Sequence, residues 1–276
     1  MRISSTSPSG ISDSGRTRLA KLIRSREGPL RIAEAAEVLG LGRRETSWLL
    51  SAWVRRGWMQ RISRGVYSPV PVETQAARPA IDPWVVAATL FSPCYVTGWS
   101  AAGEWNLTEQ LYRVTAVVSK RRVRRRRMTT GGGEYLVTTR LLPTEGVVTR
   151  WREGVRIPLA DPSLTIVDML DDPALGPGIR ETGRTLVAYL RSDSRRDDVL
   201  LRYADERGNG AVFKRLGFLL ERLAPAEEAM IAACRTRLTH GYAKLDPAVP
   251  AADRRRLARW RIIENVRGIG EPQERA

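Results

Sequence analysis

The sequence predicts an α+β protein, with an N-terminal winged helix-turn-helix followed by a C-terminal domain of mixed helices and strands. Three observations predict this fold. Apolar residues recur at three- and four-residue steps over residues 17–56, as in helices that pack by one face. Between residues 58 and 68 the polarity alternates, as in a β-hairpin. The 276 residues leave room for a second domain, in which strand patterns precede a mostly helical remainder.

The chain begins with a predicted lead-in and two helices. Residues 1–15 are rich in serine and poor in large apolar groups, which predicts disorder. A helix is expected from Thr17 until Gly28 and the following proline end it. After a short extended piece, a second helix covers residues 33–39, and Gly40 ends it.

A third helix follows almost at once, and its two faces differ in chemistry. Its buried stripe follows the helical steps and comprises Thr46, Leu49, Leu50, Trp53 and Val54. The opposite side presents cations and hydroxyls, namely Arg43, Arg44, Ser47 and Ser51. One face of this helix therefore suits the protein core and the other suits a polar partner.

A hairpin and a domain boundary come next. Residues 58–62 and 66–68 alternate in polarity around a turn that contains Gly65, which predicts two antiparallel strands. A winged helix has this order of elements: one helix, then a tight helix-turn-helix, then a hairpin. The second helix of its helix-turn-helix enters the major groove of DNA. We expect this DNA-binding domain over residues 16–70. Four prolines within fifteen residues then predict a stiff linker over residues 71–82.

The second predicted domain covers residues 83–270. Strands are expected at residues 95–98, 112–119, 135–142 and 155–159, the last after an extended connection. Helices are expected at residues 83–90, 100–105, 179–190, 196–207, 211–223 and 227–239. One more helix begins at Pro162, because Asp161 can cap it and a proline fits its first position.

The charge of the chain predicts a polyanionic partner. Lys and Arg number 46 against 30 Asp and Glu, which gives a net charge of +16. One histidine and two cysteines 140 positions apart exclude a disulfide framework and a Cys/His metal site. We expect a cytoplasmic protein without a membrane span, because the N-terminus lacks a signal-like apolar stretch and the longest apolar run has eight residues.

Short motifs along most of the chain share their order and spacing with one protein family. They are Arg64-Gly65-Val66-Tyr67, Gly98-Trp99-Ser100-Ala101-Ala102, Asn106-Leu107-Thr108-Glu109-Gln110, Ala160-Asp161-Pro162-Ser163-Leu164, Asp168-Met169-Leu170, Arg215-Leu216-Gly217-Phe218-Leu219-Leu220-Glu221, Gly241-Tyr242, Leu245-Asp246-Pro247, Trp260 and Asn265. By these motifs the chain resembles the AbiEi family of antitoxins from AbiE-type (type IV) toxin-antitoxin systems. The sequence departs from the family pattern after Ser100, where Ala-Leu-X-X-X-Gly-Leu-Thr is usual.

The resemblance implies a bacterial antitoxin that is also a transcriptional repressor. Its winged helix would bind double-stranded DNA at inverted repeats in its own promoter and repress the operon. Its C-terminal antitoxin domain would counteract a cognate nucleotidyltransferase toxin, functionally if not by direct contact. Because similar N-terminal domains also occur joined to nuclease-like modules, the second domain has to be judged by its own residues.

The third helix supplies the predicted contacts with DNA bases. Arg43 and Arg44 lie at its start, where a guanidinium can donate two hydrogen bonds to O6 and N7 of guanine. Ser47 and Ser51 lie one and two turns further on and are expected to reach phosphates or base edges. Trp48 either packs against the sugar backbone or covers the edge of the core, and we favour the core.

The hairpin and a cationic run supply the predicted phosphate contacts. Arg61 and Arg64 on the hairpin are expected to hold phosphates, and their presence favours DNA binding over a generic small helical domain. The densest run of cations is Lys120, Arg121, Arg122, Arg124, Arg125, Arg126 and Arg127. Because flexible glycines follow it, we expect an exposed arm that binds phosphates and dominates the salt dependence. A plain solvated loop, or contact with an acidic toxin or its tRNA, is the alternative.

Residue patterns for catalysis are scarce. A restriction-type nuclease has a carboxylate two positions before a lysine, and those positions hold Leu19, Val118, Val212 and Tyr242. Asp161 is explained as a helix cap and Asp168 as the partner of an arginine. We therefore predict no catalytic residue, no metal site, no cofactor and no enzymatic activity. The alternatives are a winged helix carrying a nuclease or nucleic-acid-modifying domain, and a plain regulator without a toxin partner.

Overall fold

The computed structural model describes residues 10–25, 28–70, 80–250 and 255–270. Residues 1–9 of the predicted lead-in and residues 71–79 of the predicted linker lie outside the described residues, so the linker stays a prediction. The described helices are α1 (Asp13–Ser25), α2 (Ile32–Leu39), α3 (Arg43–Arg55), α4 (Pro83–Leu90), α5 (Gly98–Glu104), α6 (Pro162–Asp171), α7 (Ile179–Arg191), α8 (Asp197–Arg207), α9 (Ala211–Leu223) and α10 (Glu228–Thr236).

The strands form three sheets. The strands are β1 (Leu30–Arg31), β2 (Met59–Ser63), β3 (Val66–Pro69), β4 (Cys94–Val96), β5 (Val114–Ser119), β6 (Arg127–Thr130), β7 (Gly133–Thr139), β8 (Val147–Arg152), β9 (Val155–Ala160), β10 (Ala243–Lys244), β11 (Arg255–Leu257) and β12 (Ile262–Glu264). Their orders are β1-β3-β2, β6-β7-β5-β4-β9-β8 and β10-β12-β11. In the six-stranded sheet β5 and β7 are parallel, whereas β6 and β7 are antiparallel. The protein is thus a mixed α/β protein, and none of its described helices is long and apolar enough to cross a membrane.

Contacts between Cα atoms divide the chain into two compact units. Unit 1 comprises the described parts of Met1–Tyr95 together with Arg113–Leu142 and Thr149–Pro158. Unit 2 comprises Val96–Tyr112, Pro143–Val148 and the described parts of Leu159–Ala276. Unit 1 therefore contains the N-terminal helices, the first hairpin and the predicted phosphate-binding run.

The first helix begins earlier than the sequence predicts. The hydroxyl of Ser12 accepts a hydrogen bond from the amide of Gly15 at 3.2 Å, which satisfies a free donor at the start of α1. Asp13 adds a negative charge to the first turn, where it complements the helix dipole. The predicted lead-in over residues 1–15 is therefore wrong for residues 13–15, which are helical.

The two short helices and their turn follow the sequence prediction. α2 ends at Gly40, whose φ of 67° lies in the left-handed region that glycine tolerates. α3 then packs the predicted stripe inwards: Thr46 and Leu50 are fully buried and Trp53 is 2% exposed. Leu50 and Trp53 share a core with residues of α1 and β2, among them Leu22 and Met59.

The predicted hairpin is formed by β2 and β3. The two strands pair antiparallel, with a register shift between Arg61 and Ser63, and β1 pairs with the other edge of β3. Arg64 and Gly65 make the turn, and Gly65 has a φ of 78°. The left-handed backbone at this turn explains why glycine follows the arginine.

Within unit 1 the hairpin packs against the elements that follow it. Ile62 and Val66 share a core with Val86 of α4 and Val117 of β5. The guanidinium of Arg31 donates hydrogen bonds to the carbonyl oxygens of Thr89 and Leu90, at 2.7 and 3.1 Å. The C-terminal end of α4 is thereby fixed to the start of α2. This packing involves residues far apart in the sequence.

Unit 2 is held together by buried polar groups. The carboxylate of Asp168 is fully buried and accepts hydrogen bonds from Thr97 and from the guanidinium of Arg207. Arg215 is 3% exposed, and its guanidinium donates to the carbonyl oxygens of Leu170, Asp171, Lys244 and Leu245. The cap of α6 is as predicted, since Asp161 accepts from the amide of Leu164 at 2.7 Å. Burial raises the pKa of Asp161, and the hydrogen bonds from Leu164 and Tyr203 act in the opposite direction.

Several strands differ from the sequence prediction. β8 lies where an extended connection is expected, and β11 and β12 lie in a region predicted to be mostly helical. β6 occupies the end of the predicted cationic arm. Each of these strands pairs with its neighbour in the chain: β6 with β7, β8 with β9, and β11 with β12. Their strand conformation depends on this pairing more than on the residue pattern of each strand alone.

Candidate nucleic-acid interface

A cationic groove lies in unit 1 between the helix-turn-helix and the hairpin. Its volume is about 430 Å³. The residues that line it come from β1, α2, α3 and the hairpin, namely Arg31, Ile32, Ala33, Arg43, Arg44, Ser47, Arg64, Gly65 and Val66. The fold thus brings four of the predicted DNA contacts, three of them arginines, to one concave surface.

The start of α3 forms one wall of this groove. Gly42 precedes the helix and has no side chain to cap it, so the amides of the first turn face outwards without a side-chain cap. Arg43 and Arg44 are both exposed. Backbone amides and guanidinium groups at one helix start favour an anionic ligand.

The hairpin turn forms the opposite wall. Arg64 is exposed at the turn and lines the groove, as the sequence predicts for a phosphate contact. Arg61 is also exposed, but its Nε donates to the carbonyl oxygen of Ser63 at 3.3 Å and it does not line the groove. Ser51 lies outside the groove as well, on the outer face of α3 and half-buried.

The arginines of the groove keep their positive charge available. Within the described ranges, no carboxylate forms an ion pair with Arg43, Arg44 or Arg64. Arg31 differs, since its guanidinium is already bonded to the carbonyl oxygens at the end of α4. Arg31 therefore lines the groove while its guanidinium ties the start of α2 to the end of α4.

The sequence interpretation of Trp48 is wrong. Its side chain is 69% exposed, and it does not cover the edge of the core. Trp48 is two residues from both Thr46 and Leu50, which is about 200° of helical rotation from each buried position. That spacing is present in the sequence and is the signal for an outward side chain. Sequence reasoning also misses Arg31, because its distance from α3 in sequence hides its place in the groove.

The basic loop, residues 120–127, is exposed but is not a free arm. Its seven cationic side chains are all exposed. Its backbone is held at several points. For example, the amide of Lys120 donates to the carbonyl oxygen of Pro93 at 2.9 Å, and the amide of Val123 donates to the hydroxyl of Thr139 at 3.4 Å. Val123 also packs against the core that contains Ile62. The predicted arm is thus an anchored loop of unit 1.

The glycines after this loop are not a flexible segment. Gly131 and Gly132 form the tight turn between β6 and β7. A Cβ atom on Gly131 would lie 2.6 Å from Cγ2 of Ile62 and 3.0 Å from Cγ1 of Val86. The turn is therefore pressed against the first hairpin and α4. Across the described residues, no group of three or more His, Cys, Asp or Glu side chains is placed to hold a metal ion.

A helix-turn-helix with an exposed cationic face on its second helix is typical of DNA-binding transcriptional regulators. Residues 18–70 match the model of the AbiEi_4 family, described as "Transcriptional regulator, AbiEi antitoxin". The resemblance to AbiEi antitoxins that the sequence indicates is confirmed over these residues.

The fold of the whole chain is also similar to a solved structure. It matches the crystal structure of the RV2827C protein from Mycobacterium tuberculosis with a TM-score of 0.59 and 15% sequence identity, over 95% of each chain. At this identity the likeness shows the fold alone. A comparison with curated proteins finds no match.

Proposed function

We propose that this protein is the antitoxin of a toxin-antitoxin operon and the repressor of its own promoter. Residues 16–70 act as a winged helix-turn-helix that binds inverted repeats in double-stranded DNA, and the C-terminal antitoxin domain, residues 83–270, counteracts a cognate nucleotidyltransferase toxin. The protein performs no bond-breaking chemistry of its own. The observation that carries the proposal is the groove in which Arg43, Arg44 and Arg64 face solvent without a carboxylate partner among the described residues.

The two walls of the groove bind different parts of the DNA. α3 enters the major groove of DNA with Arg43 and Arg44 at its leading end, where they donate to guanine O6 and N7. Arg64 and Arg61 on the hairpin hold phosphates and fix the position of α3. Ser47 and Ser51 accept or donate hydrogen bonds along the same path.

The basic loop extends the phosphate contacts. Its exposed cations are Lys120, Arg121, Arg122, Arg124, Arg125, Arg126 and Arg127. Because the loop is anchored in the same compact unit as the hairpin, it binds the phosphate backbone without a large loss of chain entropy. Each phosphate it neutralises releases counterions and steepens the salt dependence.

DNA binding is tested by a mobility-shift experiment on the DNA upstream of the gene, with a scrambled duplex of the same composition as control. At about 150 mM salt we expect the protein to bind the upstream DNA about 10³-fold more tightly than the scrambled duplex. Equal affinities for the two duplexes would contradict the role of a repressor. Cleavage of the DNA that requires Mg²⁺ and is abolished by the removal of one carboxylate would replace the proposal with an enzyme.

The antitoxin role is tested in cells. The nucleotidyltransferase encoded beside the gene is expected to arrest growth when it is expressed alone, and the full chain is expected to restore growth. The variant with Arg43→Ala, Arg44→Ala and Arg64→Ala, expressed from an unrelated promoter, should restore growth equally, because neutralisation belongs to the C-terminal domain. A neighbouring gene that encodes no nucleotidyltransferase, or a failure to restore growth, would contradict the antitoxin role. The protein would then be a transcriptional regulator without a toxin partner.

A further inference from the structure

One aromatic side chain of α3 has no role in the core. Trp48 is 69% exposed, whereas Trp53 on the same helix is 2% exposed. Burying a large aromatic side chain is favourable, so a partner that covers Trp48 gains the free energy that its exposed ring forgoes. The exposed position of Trp48 therefore suits contact with a ligand.

The neighbours of Trp48 identify the chemistry of that ligand. In helical rotation Arg44 lies four residues before Trp48, Ser51 three residues after it, and Arg55 seven residues after it, so all four side chains share one face. Arg44 and Arg55 are exposed. The single acidic residue of α3 is Glu45. A cationic face on a chain of net charge +16 favours a polyanion over a second copy of the same chain.

We propose that Trp48 makes an apolar contact with the 5-methyl group of a thymine in the major groove and so helps to select the operator. The proposal rests on the proposed function, because it requires α3 to lie in that groove. The floor of the major groove presents donors and acceptors at each base pair, and its apolar group is the thymine methyl. Arg44 and Ser51, one turn to either side, would then contact the flanking bases or phosphates.

The test replaces single thymines of the operator by deoxyuridine, which lacks the methyl group. The operator is first selected from random duplexes with the wild-type chain. We expect one or two thymines whose replacement weakens binding about fourfold, the effect of one methyl group leaving a buried site. Trp48→Ala should bind the thymine operator about tenfold more weakly. The fourfold difference between thymine and deoxyuridine should disappear in this variant.

A second exposed tryptophan of the same unit provides the matched control. Trp151 in β8 is 62% exposed, and Trp151→Ala should retain both the affinity and the fourfold thymine preference. The proposal is overturned if Trp48→Ala keeps the thymine preference, or if the wild-type chain is insensitive to every deoxyuridine. It is also overturned if Trp48→Ala abolishes self-association in sedimentation experiments and leaves DNA affinity unchanged.

The two proposals fail in different ways. A wild-type chain that selects no sequence from random duplexes contradicts the proposed function itself. A chain that selects an operator but shows no thymine effect at Trp48 contradicts the inference alone.

Discussion

The hydroxyl of Thr130 donates a hydrogen bond to the main-chain carbonyl oxygen of Ile62, at 3.2 Å. Thr130 ends β6, which follows the basic loop, and Ile62 lies in β2, two residues before Arg64. The basic loop runs directly into β6, and β2 runs directly into the turn that carries Arg64. The hydrogen bond therefore ties the hairpin that carries Arg64 to the strand that continues the basic loop.

The contact between these two hairpins predicts a difference between neighbouring glycines. Gly131→Ala should destabilise the protein more than Gly132→Ala, as measured by urea unfolding. Both positions have positive φ values, which costs about 1 kcal/mol for alanine. Only Gly131 would also press a Cβ against Ile62, which should add about 1–3 kcal/mol. Equal destabilisation by the two substitutions would show that the turn is not tightly packed against the first hairpin.

The basic loop should set the salt dependence of DNA affinity. With Arg124→Gln, Arg125→Gln and Arg127→Gln together, we expect the slope of log K against log salt to fall by about 0.9 for each phosphate that the loop no longer neutralises. The preference for the operator should persist. The control carries Arg184→Gln, Arg191→Gln and Arg222→Gln, which remove the same charge from exposed positions of unit 2. A slope reduced equally in the control would mean that net charge alone is responsible.

The buried ion pair of unit 2 should be essential for its stability. Arg207→Ala leaves the fully buried carboxylate of Asp168 without its cation, at a cost of about 3–5 kcal/mol. Arg184→Ala removes an exposed cation from a pair with Glu181 and should cost less than about 0.5 kcal/mol. Because Arg207→Ala alone can fail to fold, Asp168→Asn is added to it. The double variant should recover part of the stability, and no recovery would contradict the assigned pair.

The two cysteines should make stability depend on pH above the ordinary thiol pKa. Burial raises the pKa of Cys94 and of Cys234 to about 12. The unfolded thiols ionise near pH 8.5, so the stability they contribute is intact below that pH and is lost as the pH rises towards 12. At pH 10 the contribution of each thiol should have fallen by about 2 kcal/mol. Urea unfolding of Cys94→Ala/Cys234→Ala should show a weaker decline between pH 8 and 10, and an identical decline would contradict the shifts.

Local patterns are sufficient to predict the helix-turn-helix and the hairpin. The second predicted helix, residues 33–39, differs from α2 by one residue at its start. Gly40 and Gly65 have left-handed backbone conformations that glycine tolerates. A single glycine in the sequence is therefore enough to predict each of these turns. The cap at Asp161 is equally local. Such elements are specified by residues that are neighbours in the chain.

Pairing between elements accounts for what the sequence does not predict. β6 is a strand because its residues pair with β7 across the turn at Gly131 and Gly132. Arg31 lines the cationic groove because β1 pairs with β3, which follows it by more than thirty residues. The apolar character of Trp48 favours the core, although its angular position on α3 points outwards. The apolar ring predicts burial and the helical position predicts exposure, and the structure shows that Trp48 is exposed.

In the proposed complex α3 reads the bases of DNA while the hairpin holds the phosphate backbone. The decisive experiment measures the affinity of the wild-type chain, Arg43→Ala and Arg64→Ala for operator and scrambled DNA across a salt series. Arg43→Ala should lose about 1–3 kcal/mol of discrimination and keep its affinity for scrambled DNA. Arg64→Ala should weaken binding to both duplexes alike and lower the salt slope by about 0.9. Unchanged affinity and slope in both variants would show that neither Arg43 nor Arg64 contacts DNA.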